Sequence, residues 1–154
     1  MNVVTSLSDV TRENWIDVIS LEISKQQERY VATPAEAIAA SKFYDYYINR
    51  AVCCGTEIVG FLQYYRGYRN YRDGKPQEIF IDQLLIDVQH QGKGYGTAAV
   101  ALALEEIKNI ADVNVVSICY VEGHDVMCAF FKRFGFSVVE QDEFDETIME
   151  LHLT

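Results

Sequence analysis

Three glycines at alternating positions, Gly92, Gly94 and Gly96, lie between two patterned segments of this 154-residue chain. Before them, Glu78 to Asp87 reads as a long strand. After them, Gly96 to about Ile110 places Val100, Ala103, Leu104 and Ile107 on one face of a helix. The next segment, Val113 to Val121, is a mostly apolar run that suggests a strand buried on both sides. Strand, loop, helix and strand in this order imply a parallel pair joined by a crossover.

The remaining segments surround that unit with antiparallel neighbours. Val3 to Leu7 is a short strand. Thr11 caps a helix carrying Trp15, Val18, Ile19 and Ile23, and Thr33-Pro34 opens a second that runs through Ala35–Tyr47. Arg50 to Cys54, the turn Gly55-Thr56 and Ile58 to Tyr65 form a hairpin, and residues 66–76 form a loop rich in breakers. Val126 to Phe134 is a short helix. Phe136 to Val139 and Thr147 to Leu153 are strands joined by the acidic turn Glu140–Glu146. The expected architecture is α/β (α+β): a mixed, mostly antiparallel sheet of about six to seven strands flanked by about four helices. No repeat or Pro/Gly/Ser linker divides the chain, so residues 1–154 are expected to form a single domain.

Composition narrows the partners. Thirteen basic residues face twenty-three acidic ones, a net charge of −10. Such a surface repels phosphate backbones, which argues against nucleic acid and for a cationic partner. Cys53, Cys54, Cys119 and Cys128 contain no C-x-x-C pair. His90, His124 and His152 have no zinc-like spacing, so no metal is expected. No apolar stretch approaches the ~20 residues of a membrane span, and no basic-then-apolar leader opens the chain. A cytoplasmic protein with reduced thiols is the expectation.

A net-negative chain can still hold a phosphate locally. Alternating glycines remove Cβ atoms, so peptide N–H groups converge on a ligand. A helix start adds about half a positive charge. Two familiar loops are excluded. Thr97 stands where a dinucleotide fingerprint needs glycine, and Thr97-Ala98 follows Gly96 where a triphosphate loop needs Lys-Ser/Thr. The competing account is a plain strand–helix connection with glycines for turn geometry.

The stretch Leu85-Ile86-Asp87-Val88-Gln89-His90-Gln91-Gly92-Lys93-Gly94-Tyr95-Gly96 resembles the acetyl-CoA signature of the GNAT superfamily of N-acetyltransferases. Its pattern, Gln/Arg-x-x-Gly-x-Gly/Ala, is met by Gln91, Gly94 and Gly96. Phe130-Phe131-Lys132-Arg133-Phe134-Gly135-Phe136 resembles the helix that ends in Gly-Phe in the same superfamily. The order of elements fits from residue 3 to 153. Ile79-Phe80-Ile81-Asp82-Gln83-Leu84-Leu85-Ile86-Asp87 before Gln-Gly-Lys-Gly is similar to the bacterial spermine/spermidine acetyltransferases.

The resemblance implies a GNAT-like acyl-CoA acyltransferase fold and specific roles. Backbone N–H groups of Gln91, Gly92, Lys93, Gly94, Tyr95, Gly96 and Thr97 would hold the pyrophosphate of coenzyme A. Backbone groups of Leu84, Leu85 and Ile86 would pair with the pantetheine arm, in a gap where the strand at 113–121 splays from the strand at 78–87. The amide near Ile86 would face the thioester oxygen. His124 takes the place of the family's asparagine near the cofactor. Phe131 stands where a general-acid tyrosine is common.

Acyl transfer to an amine requires the neutral amine. With an alkylamine pKa of ~10.4, freeing it at pH 7 costs about 4.6 kcal/mol. A carboxylate acting through water can accept that proton and bind the cation beforehand. Asp82 matches an acidic position of the polyamine enzymes, and strand alternation puts it on one face with Leu84 and Ile86. A solvated or arginine-paired Asp82 is the competing account. Glu22, Glu28 and Glu122 are further acidic candidates, more simply read as surface charge. Tyr120, Cys128 or water could replace the missing tyrosine, and a covalent route through Cys128 is disfavoured. Tyr44, Tyr46, Tyr47, Tyr64, Tyr65, Tyr68 and Tyr71 suit a linear cation, although core packing and a homodimer contact explain most of them better. Arg66, Arg69 and Arg72 argue against a cation site beside them. The expected activity is acetyl-CoA-dependent acetylation of a small cationic amine, preferably a polyamine. Acetylation of a protein amino group or another small amine, or cofactor binding without catalysis, are the alternatives.

Overall fold

A computed structural model describes residues 4–24, 32–67, 71–72, 74–121, 125–141 and 146–153. Strands β1 (Thr5–Asp9), β2 (Tyr47–Cys54), β3 (Glu57–Arg66), β6 (Glu78–Ile86), β7 (Val115–Val121), β8 (Ser137–Gln141) and β9 (Glu146–His152) form a seven-stranded sheet in the order β1-β2-β3-β6-β7-β9-β8. A separate two-stranded ribbon pairs β4 (Tyr71–Arg72) with β5 (Lys75–Pro76). The helices are α1 (Trp15–Ile19), α2 (Pro34–Ser41), α3 (Tyr95–Lys108) and α4 (Asp125–Lys132). The expected parallel pair is present: β6 runs parallel to β7 from Glu78↔Val115 to Ile81↔Ile118. The β1–β2, β7–β9 and β8–β9 pairs are antiparallel, so the sheet is mixed as expected.

The chain divides into two compact units, Met1–Tyr64 with Gln83–Glu106 and Tyr65–Asp82 with Ile107–Thr154. In the first, Val18, Ala37, Ala51, Cys53, Phe61 and Leu85 form a core with Leu21 and Ile23 packed against it. Ala99, Val100, Ala103 and Leu104 form the buried stripe of α3. Gln63 fastens α2 by donating to the Ala37 carbonyl at 2.9 Å and to Asn49 Oδ1 at 2.8 Å. In the second unit, Phe131 makes edge contacts with Phe130 and Phe136. Glu78 is buried and accepts a 2.7 Å bond from Ser117 Oγ.

Several boundaries differ from those read in the sequence. Thr33 does cap α2, its Oγ1 accepting from the Glu36 N–H, and Pro34 fills the first turn. That helix stops at Ser41, however, and Tyr47 already begins β2. The run Tyr46-Tyr47-Ile48 is aromatic and β-branched, and the partners of Asn49 lie in the sheet and at the end of α2, which favours an extended backbone. Thr11 does not cap the first helix: Asn14 stands at its N-cap, with Oδ1 turned back to accept the Thr11 N–H at 2.7 Å, and the helix runs only from Trp15 to Ile19. Leu21 and Ile23 then reach the core from a stretch outside any helix or strand, and in a short window their spacing with Val18 and Ile19 passes for a further helical turn. The expected loop at 66–76 contains the β4–β5 ribbon, turned through Gly74 at φ +77°.

Candidate active site

The site is built outward from the end of β6. The Asp87 N–H donates to the Val59 carbonyl at 2.8 Å, which fixes the edge that β6 presents to β3. Backbone direction alternates along a strand, so the peptide groups of Leu84 and Ile86 face the opposite edge. The Ile86 carbonyl there accepts the Gln91 side-chain amide at 3.0 Å. Leu85 is buried, while Leu84 and Ile86 are half-buried. This close approach of β6 to β3 depends on Gly60. A Cβ at that position would lie 2.6 Å from the Leu85 carbonyl oxygen and 2.7 Å from Ile86 Cδ1.

Asp87 then turns the chain. It caps the 3-10 turn Val88–His90 by accepting the Gln89 N–H at 3.3 Å, and its other oxygen accepts the Glu22 N–H at 2.8 Å. The Val88 N–H returns a 2.8 Å bond to the Glu22 carbonyl. Glu22 is thereby held at the turn with its side chain exposed.

The glycine loop follows. Gly92 and Gly94 adopt φ +78° and +87°, a region that strains any residue with a Cβ, and the space in front of both is open. Gln91, Gly92, Lys93, Gly94 and Thr97 are exposed, and Tyr95 and Gly96 are half-buried. The Ala98 N–H bonds the Gly94 carbonyl at 3.1 Å, so Gly94 is the cap of α3. The first-turn amides of Tyr95 and Gly96 therefore have no acceptor within the helix. The loop sits on the β2–β3 hairpin. The Tyr95 hydroxyl donates to Cys54 Sγ at 3.2 Å, and His90 Nε2 lies 3.2 Å from Glu57 Oε1 with its ring edge-on to Tyr95. The hydrogen bond to the Cys54 thiol, assisted by some burial, holds the Tyr95 phenol protonated above its usual range. First-turn amides of Tyr95 and Gly96 without an acceptor in the helix, the positive end of a 14-residue helix and exposed Lys93 suit a multiply charged anion such as a diphosphate.

The other candidates fall as follows. Asp82 is exposed, one residue beyond the part of β6 that pairs with β7, and Tyr120 is half-buried, two residues beyond the part of β7 that pairs with β6 and opposite Thr147 of β9. Phe131 is only 3% exposed and packs α4 through its ring contacts. Glu28, Glu122 and His124 lie outside the described residues, as do Tyr68 and Arg69. Tyr44, Tyr46 and Tyr47 cluster with ring centroids 5.2–6.0 Å apart. Tyr64 is buried against Glu106, and Tyr65 stacks on Phe80. Arg66 bonds the Pro76 and Ala111 carbonyls. Sequence reasoning missed Asp87, Cys54, His90 and Gly60. An aspartate at a strand end just before Val88-Gln89 is a capping signal that could have revealed Asp87.

A strand that runs into a glycine-rich loop and a helix start, inside this sheet order, matches the acetyltransferase fold. The chain belongs to the GNAT acetyltransferase family, whose model, described as "Acetyltransferase (GNAT) family", matches residues 12–136. It is 22% identical over 131 residues to the spermine/spermidine N(1)-acetyltransferase of Bacillus subtilis (strain 168), covering 85% of this chain and 86% of that one. Among solved structures it is similar to the spermidine N-acetyltransferase of Vibrio cholerae in complex with CoA and spermine. The TM-score is 0.75 at 15% identity, over 96% of this chain and 95% of that one. It is also similar to the ribosomal-protein-S18-alanine N-acetyltransferase of Escherichia coli, with a TM-score of 0.73 at 16% identity, over 98% and 95%. Among the described residues no helix is long and apolar enough to cross a membrane.

Proposed function

We propose that the protein transfers the acetyl group of acetyl-CoA to a primary amine of a small cationic substrate, a polyamine. The carrying observation is the loop Gln91–Thr97, in which Gly92 and Gly94 lie at positive φ in front of open space and the Tyr95 and Gly96 amides have no acceptor within the helix. The curated relative named for spermine and spermidine supports the acceptor class.

In this reading the loop amides hold the pyrophosphate, with His124 and Phe131 along the cofactor. The outward peptide groups of Leu84 and Ile86 pair with the pantetheine arm beside Leu85. The Ile86 N–H stabilises the oxyanion that develops on the thioester carbonyl, a task suited to a fixed peptide donor in a water-poor site. Glu22, Glu28 and Asp82 attract the ammonium groups. Asp82 accepts the amine proton through water, and the neutral nitrogen attacks the thioester carbonyl carbon. As the C–S bond breaks, the thiolate leaves, a modest demand because a thiol has a pKa near ~8.5. Tyr120, in place of the tyrosine that Phe131 supplants, donates a proton to the thiolate and recovers one from the second proton that the nitrogen gives up as the amide forms. No metal enters the scheme. Four reduced thiols suit the cytoplasm, and the substrate is a small molecule rather than nucleic acid or membrane.

Thiol release from acetyl-CoA over a panel of spermidine, spermine, a lysine peptide and an N-terminal alanine peptide tests the proposal. The polyamines should lead the peptides by at least about tenfold in kcat/KM, a difference of ~1.4 kcal/mol in transition-state binding. A peptide preference would favour a protein amino group. Thermal stabilisation by coenzyme A with no product from any amine would favour a non-catalytic binding module.

A further inference from the structure

The segment that carries Glu22 is held from two sides. Leu21 and Ile23 are partly buried against the core cluster that contains Leu85, and Glu22 between them is exposed. Its backbone meets the turn after β6 in two reciprocal bonds, Glu22 N–H to Asp87 Oδ1 at 2.8 Å and Val88 N–H to Glu22 C=O at 2.8 Å. The second Asp87 oxygen caps the 3-10 turn that leads into the glycine loop, and the Asp87 N–H is bonded to Val59. One residue therefore joins three things: its N–H anchors the strand end, and its carboxylate joins the entry to the glycine loop to a distant segment that presents an exposed carboxylate. A cap that served only the 3-10 turn would have no use for the bond to residue 22, sixty-five positions away.

We infer that Asp87 is a positioning residue for the acceptor: it fixes the exposed Glu22 carboxylate against the cofactor turn, so that the acceptor ammonium is held where the loop has placed the acetyl donor. The inference rests on acetyl transfer to a cationic amine as proposed above. It adds a residue that sets acceptor affinity without touching the acceptor. Because Glu22 would bind the amine equally in the ground and transition states, its displacement should raise the acceptor KM and leave kcat nearly unchanged.

The test uses the full chain with Asp87→Ala, Asp87→Asn and Glu22→Gln. The asparagine keeps an oxygen that can accept the Glu22 N–H, and the alanine does not. Asp87→Ala should raise the acceptor KM about tenfold, the scale of one charge-assisted hydrogen bond, with kcat within about twofold. Hydrogen exchange at the Glu22 amide should accelerate in the same variant, and Asp87→Asn should restore both readouts. In a Glu22→Gln background, Asp87→Ala should add little, since one residue acts through the other. An unchanged acceptor KM, unchanged Glu22 exchange or fully additive effects would overturn the inference. So would equal losses in the alanine and asparagine variants. If the wild type acetylates no amine, the proposed function fails separately, and coenzyme A alone serves as the probe. It should slow Glu22 amide exchange in the wild type and not in Asp87→Ala, and the absence of slowing in the wild type would overturn the inference.

Discussion

Replacing Gly60 by alanine tests whether the end of β6 must lie where the structure has it. The new Cβ would meet three neighbours: Leu85 O at 2.6 Å, Ile86 Cδ1 at 2.7 Å and Val52 Cβ at 3.3 Å. The Ile86 methyl can rotate away, but the Leu85 carbonyl is backbone in a central strand. Reaching an ordinary 3.4 Å separation requires a relative shift of 0.8 Å at that point. The bond from the Asp87 N–H to Val59 O, adjacent on both strands, must stretch or tilt with it. Overpacking of this kind costs about 1–3 kcal/mol of stability, readable as a lower urea midpoint. The functional loss should be larger than the stability loss suggests. A misplacement near 1 Å of a reacting group can reduce rate by about a hundredfold, and Ile86 carries the proposed oxyanion donor. We expect kcat to fall at least about tenfold under conditions where the variant is fully folded. An unchanged urea midpoint, or a destabilised variant with wild-type kcat, would refute the link between this strand approach and the chemistry.

Three further outcomes follow from the same geometry. Gly94→Ala meets no atom within 4 Å, so its cost is conformational. A residue with a Cβ held at left-handed φ loses about 1–2 kcal/mol, and calorimetry should show coenzyme A binding weakened by about tenfold as the loop relaxes. Tyr64 donates to Glu106 Oε2 at 2.9 Å while Arg50 Nε holds the same oxygen at 3.0 Å. Tyr64→Phe should therefore cost about 1.5 kcal/mol in denaturant titration, the low end for a hydrogen bond to a charge, because Glu106 keeps its guanidinium. Burial first, then the Glu106 bond, pushes the Tyr64 phenol up to about 12 from 10.0. The wild-type advantage should thus be complete below pH 10 and vanish as the pH rises through 12; a constant difference across that window would contradict the assignment. Asp82→Asn should reduce turnover most at neutral pH and least at alkaline pH, where the amine is already neutral, and an unaltered pH profile would remove Asp82 from proton transfer.

The central unit of the fold was legible because its signals are local. Gly92, Gly94 and Gly96 mark the loop, with Gly92 and Gly94 at the positive φ that favours glycine, and the apolar spacing on either side separates a strand from a helix. The parallel β6–β7 pair then follows from chain order. The joints that support the site were not legible, because they pair residues far apart in the chain. Nothing near Cys54 announces a bond to Tyr95, and nothing near Glu22 announces Asp87. Gly60 reads as an ordinary strand residue until Leu85 is seen against it. The misread helix ends have a different cause. Ile19 and Ile23 fit one helical turn, but tertiary packing draws Leu21 and Ile23 inward from a stretch outside the helix.

The most direct measurement is a titration of the isotope-labelled protein with coenzyme A, followed through its amide resonances. Saturable shifts should concentrate at Gln91–Thr97, with smaller changes at Leu84–Ile86. Binding that leaves these resonances unmoved, or shifts that cluster away from this loop, would contradict that expectation.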